Sequence, residues 1–332
     1  MAWMLMSRGE YALAEQLAQR LAKAARQHDD RMLQATAAAV LAAPHLQWGR
    51  LEQARPLLEE AIALTEGLQA VRLPTALLLD PVAISRGIGA ILFAHQGEVG
   101  RARACVAAAV ERAAAMGQPI TRGFTWRCVG MVLVRLDEPE GVLEVASLLR
   151  HHVREHGLAQ GEGPSRTLLG WAEARLGDAV AAAAGHQELV EGMADMRRLE
   201  AWFDMTMPLR LASEAAQRAG DRDAAREHVE EGFAFAERLG ERLHLPELWL
   251  CRAELARASA DAPRARACAR EALRVADEMG ARIAALAARL ALCRLADAGD
   301  TDVAELRAAR AAWAAPEAFG LLRQVDALLA GS

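Results

Sequence analysis

His152-Val153-Arg154-Glu155-His156 is the segment of this chain whose residue types and spacing come nearest to chemistry. On a helix, histidines four apart face the same way and can hold zinc while the intervening glutamate acts as a base, the H-x-x-E-H pattern of a metallohydrolase. The segment stops at Gly157, however. Histidine near a helix C-terminus is favoured independently by the helix dipole and by free carbonyls. No third ligand is identifiable by spacing, so no metal or other cofactor is expected, and a metallohydrolase at His152 and His156 stands third among three readings. The sole lysine, Lys23, lies between Ala22 and Ala24. It cannot supply the glycine-lysine-serine/threonine loop that cradles nucleotide phosphates. Carboxylate pairs such as Glu59–Glu60 and Glu230–Glu231 are neighbours in sequence, so on helices they point apart. The expectation is a protein that is not an enzyme.

Tryptophan and arginine offer a different chemistry. Trp126, Trp171, Trp202 and Trp249 fall on what read as the second helices of successive units, with Arg122, Arg127, Arg166, Asp204, Arg210, Glu247 and Arg252 beside them. Both residue types are expected at binding hot spots. One reading places the tryptophans in the core between repeats. The other places all eleven residues along the concave groove of a helical solenoid, where they would meet a peptide or small ligand.

The elements that position these residues are set by a repeated signal. Helices open after Gly9, Gly49, Gly97, Glu138, Gly177, Gly220, Ala260 and Gly299, at intervals of 40, 48, 41, 39, 43, 40 and 39 residues. Glycine closes the preceding helix. Asp178, Asp221, Asp261 and Asp300 follow as caps, and Pro139 and Pro263 sit in the first turn. Five residues after each opening stands Ala14, Ala54, Ala102, Leu143, Ala182, Ala225, Ala265 or Ala304. The small side chains there let two helices approach closely. Gly67, Gly117, Gly157, Gly240 and Gly280 end the first helix of five units. The period predicts an all-α chain: an α-α superhelix of about eight antiparallel helix pairs filling residues 1–332 as one array, with no separate catalytic domain. The eight extra residues between Gly49 and Gly97, around Arg72-Leu73-Pro74 and Asp80-Pro81, mark an irregular connector.

Composition supports helices: 53% of residues are hydrophobic but only 4% aromatic. A net charge of −5 argues against direct nucleic-acid binding, and no apolar run is long enough for a membrane span. Cys105, Cys128, Cys251, Cys268 and Cys293 are odd in number and scattered, as reduced cytoplasmic thiols would be.

The repeats are similar to the tetratricopeptide-rich C-terminal half of large bacterial ATPase regulators of the AAA/STAND type. Some of these carry adenylate/guanylate cyclase domains, others transcription-factor domains as in maltose-regulator-like proteins. Asp80-Pro81-Val82-Ala83, then Ala90-Ile91-Leu92 and Gly97, resembles the family's D-P-x-V-A segment with one residue missing. Gly240-Glu241-Arg242, Glu247-Leu248 and Glu254-Leu255 resemble its G-E-R…E-L…G-E-L stretch, with Ala253 in place of a glycine. The resemblance implies a non-catalytic module that senses a ligand or protein partner, the partner including the ATPase domain that precedes such repeats. The chain then reads as a fragment of a larger signal-transduction or transcription regulator, or as a stand-alone peptide or small-molecule receptor.

Overall fold

In a computed structural model of the protein, residues 2–67, 79–295, 298–313 and 319–331 are described, and every regular element among them is an α-helix. A short α1 (Ala2–Ser7) leads into eight pairs. These are α2 (Tyr11–Gln27) with α3 (Arg31–Gln47), α4 (Leu51–Leu64) with α5 (Pro81–His95), α6 (Val99–Met116) with α7 (Pro119–Arg135), and α8 (Pro139–Glu155) with α9 (Ala159–Leu176). The second half contains α10 (Ala179–Arg198) with α11 (Thr206–Ala219), α12 (Arg222–Leu239) with α13 (Leu245–Ala258), α14 (Ala262–Met279) with α15 (Arg282–Cys293), and α16 (Asp300–Arg310) with α17 (Gly320–Gly331). Each helix packs on its successor, and second helices pack on second helices. The architecture is an α-α superhelix.

Every opening signal falls at the start of a first helix, with three local differences. In the fourth unit the left-handed residue is Asp137 (φ 57°), one before Glu138. This moves the buried fifth position from half-exposed Leu143 to fully buried Val142. Gly177 and Gly299 are not left-handed (φ −93° and −107°). Gly299 is itself the N-cap, so Asp300 becomes the first helical residue, Ala304 is exposed, and Leu306 fills the contact. The other six fifth-position alanines are completely buried. Asp178, Asp221 and Asp261 cap their helices by accepting from amide N–H groups two or three residues on.

The tightest contact between successive helices is α9 with α10, across the boundary between the fourth and fifth units. Gly163 and Gly170 on one helix face Gly192 and Gly185 on the other. A β-carbon on Gly170 would stand 2.3 Å from the Gly185 carbonyl oxygen, and one on Gly163 would stand 2.7 Å from that of Gly192. The backbones touch because no side chain intervenes.

Of the expected irregular connector, the part around Arg72-Leu73-Pro74 lies outside the described residues. Asp80-Pro81 starts α5: the buried Asp80 caps Ala83 N at 2.9 Å and receives two bonds from Arg112, of 2.7 and 2.9 Å.

The superhelix closes on itself. The Ser7 carbonyl accepts from the amides of Trp202 and Phe203, and the Gln47 carbonyl accepts from those of Arg242 and Leu243. The Gly97 carbonyl accepts from Trp313 Nε1 at 3.0 Å, and Leu136 O from Leu321 N at 3.3 Å. Residue 7 meets 202 and residue 47 meets 242, so at about 40 residues per unit one turn takes about five units and the second turn rests on the first. The opening glycines of the first three units lie in this seam. Beyond permitting φ near +70°, Gly9, Gly49 and Gly97 leave room for Leu239, Met279 and Trp313 from the next turn.

Candidate functional site

The second helices enclose a cleft of about 710 Å³, with Ala269 of α14 at its wall, lined by α7, α9, α11, α13, α15 and α17. These are the second helices of units three to eight, so the second-helix set forms the concave surface. Six arginines converge there: Arg135, Arg175, Arg210, Arg218, Arg257 and Arg294. Four carboxylates, Asp137, Glu214, Glu247 and Glu254, interleave with them.

The pairing is uneven. Arg175 makes a forked contact with Asp137, at 2.8–3.1 Å. Arg218 pairs with no carboxylate among the described residues; it donates to the Ala174 and Arg175 carbonyls at 2.7 and 3.1 Å, at the C-terminus of α9. Arg294 donates to Gln324 Oε1 at 2.8 Å. Burial, then the charge of Arg175, lowers the pKa of both Arg218 and Arg294. Arg135 is buried beside Arg210, and burial, then that neighbouring charge, pulls it down to about 9. Arg218 and Arg294 both lie near the charge of Arg175, and an anion placed among them relieves that repulsion. Deeper in, Arg210 binds Glu214, and Glu214 also accepts from Trp171 Nε1 at 2.9 Å. Arg210 Nε and Glu247 Oε2 are buried with no protein partner, leaving one donor and one acceptor unsatisfied beside the cleft.

Behind the cleft, the seam carries a buried polar chain. Arg135 pairs with Glu247 and donates to His244 Nδ1 at 3.2 Å, and His244 Nε2 donates to Asp204 at 2.9 Å. Glu241 accepts from the Tyr11 hydroxyl and from the amides of Asp204 and Thr206. Burial and the neighbouring Asp204 push Glu241 up to about 7. Burial holds His95 and His244 below the usual histidine range.

The eleven sequence candidates do not form one groove. Trp171, Arg210 and Glu247 line the cleft. Arg122 and Trp126 stack together near His152. Arg127 lies over Phe203, and Asp204 is buried in the seam. Trp202 is not on a second helix but in the connector after α10, against Phe235. Arg166 is tied to Glu188, Glu191 and Asp195 on α10, while Trp249 and Arg252 pack on Phe233 of α12. Arg135, Arg175, Arg218, Arg257 and Arg294 were missed. A signal for three of them exists: with Asp137 as the fourth opening residue, Gln47, His95, Arg135, Arg175 and Arg218 each stand two residues before an opening.

No protein-family model matches the chain, and no curated protein matches it either. Among solved structures it is similar to a tetratricopeptide repeat protein from Parabacteroides merdae ATCC 43184, at 14% identity and a TM-score of 0.46, over 85% of this chain and 95% of that one. The helix pairs described above make this chain a tetratricopeptide-like α-solenoid. No helix among the described residues is long and apolar enough to cross a membrane.

Proposed function

We propose that the chain is a non-catalytic recognition module whose axial cleft holds an acidic segment of a protein partner. The observation that carries this reading is the convergence of six arginines from successive second helices on one cleft, two of them, Arg218 and Arg294, donating to neutral acceptors among the described residues. Guanidinium groups bind carboxylates through two parallel N–H donors, which gives direction as well as charge. The cleft is lined by residues of both α7 and α17, which meet across the Leu136–Leu321 contact of the seam, so an occupant touching the two together would stiffen the junction between turns. This is how binding would be coupled to curvature in a regulator of the signal-transduction or transcription type, with an ATPase domain as the partner.

The test uses capped penta-glutamate and penta-glutamine peptides titrated calorimetrically into the full chain at low salt. Binding of the acidic peptide alone is expected, weakening at least tenfold in Arg175→Gln/Arg294→Gln and falling with added salt. Equal binding of both peptides, or indifference to the double substitution, contradicts the proposal.

A further inference from the structure

His152, Glu155 and His156 close the last turn of α8, outside the arginine cleft, and the structure alters their standing. One donor atom from each residue lies within 4.8 Å of the other two. His152 Nε2 is 2.9 Å from the carbonyl oxygen of Pro119, the first residue of α7. A carbonyl only accepts, so Nε2 carries the hydrogen and a neutral His152 has its lone pair on Nδ1. A ring nitrogen donating to a backbone carbonyl is the arrangement that fixes the tautomer and orientation of metal-bound histidine. The edge of Trp126, with ring centres 5.1 Å apart, holds the same ring from another side. His152 is buried and held by these contacts, whereas the side chains of Glu155 and His156 are 58% and 35% exposed. The His156 ring centre is already 4.4 Å from that of His152, and Glu155 Oε2 is 3.8 Å from His156 Nε2.

We propose that His152 Nδ1, Glu155 and His156 form a binding site for a divalent cation of the zinc type. Two imidazoles and one carboxylate suit that ion, whose bonds of about 2.0–2.2 Å need only a small contraction of the exposed pair. Three donors from one helical turn leave the fourth tetrahedral position facing outward. Glu155 is then a ligand and not a free base, so the site is a point of attachment for a partner's carboxylate or imidazole rather than a hydrolytic centre. A second histidine pair, His186 and His228, lies with Nε2 atoms 2.8 Å apart between α10 and α12. Among the described residues no third donor joins it, and it serves as the internal control.

The experiment is zinc chloride titrated into the full chain by calorimetry, with cobalt(II) absorption reporting coordination geometry. One equivalent is expected, with an intense tetrahedral cobalt spectrum. His156→Ala, an exposed change that leaves the fold intact, should lower affinity at least tenfold, and Glu155→Gln should weaken it less. His186→Ala/His228→Ala should leave it unaltered. Absence of uptake overturns the proposal. So does retention of full binding in His156→Ala, or its loss in the control pair.

Discussion

His228 shows how a single side chain records its surroundings. On α12 it shares a close contact with His186, and burial together with that neighbour pulls it down to about 4. In an unfolded chain histidine titrates near 6.5. Between those values the unfolded chain binds a proton that the folded one refuses, so stability is lost as pH falls from about 6.5 towards 4. His95 and His244 act in the same direction. Glu241 opposes them: burial holds it at about 7 in the folded chain, above the ordinary glutamate value of 4.5, so its contribution is present below 4.5 and lost as pH rises to 7. His45 and His186 are lowered by burial as well, so five histidines act against two raised carboxylates, Glu241 and Glu173. The urea midpoint should therefore fall between pH 6.5 and 4.5, and His228→Gln should flatten that fall; an unchanged slope would show that His228 is not held neutral.

At the scale of elements, the repeat is a contract between helix ends and helix faces. Gly170 and Gly185 put α9 and α10 in backbone contact. Gly170→Ala gains about 1 kcal/mol of helix propensity but forces the two backbones apart. A net loss of about 1–3 kcal/mol in denaturant unfolding is expected, and a gain in stability would mean that the helices do not approach so closely. Much at this scale was legible in the sequence, because glycine, aspartate and alanine at fixed offsets act through local physics: left-handed φ, capping and small volume. The misplacement at Glu138 has a physical reason, since Asp137 adopts the left-handed conformation without being glycine. Gly299 capped its helix directly and moved the buried contact to Leu306. Trp202 could not be separated from the helices around it, because its connector, 199–205, contains no proline or glycine to mark it.

The whole molecule was less legible. Nothing in a 40-residue period states how many units complete a turn or that the second turn touches the first. That geometry sums small rotations over five units, and it decided which candidates met. It buried Asp204 and Arg210, separated Trp126 from Trp171, and gathered arginines whose common place, near the ends of second helices, carried no obvious meaning in one unit alone. It also gives the glycines of units one to three a second task, since Leu239, Met279 and Trp313 seat on them.

Closure of the superhelix is the claim on which the cleft, the seam and the proposed recognition all depend. Small-angle X-ray scattering of the full chain tests it without any substitution. A self-closed superhelix of 332 residues should have a radius of gyration close to the compact-globule value of about 20 Å. A radius above about 25 Å, with the elongated profile of an open array, would contradict the account.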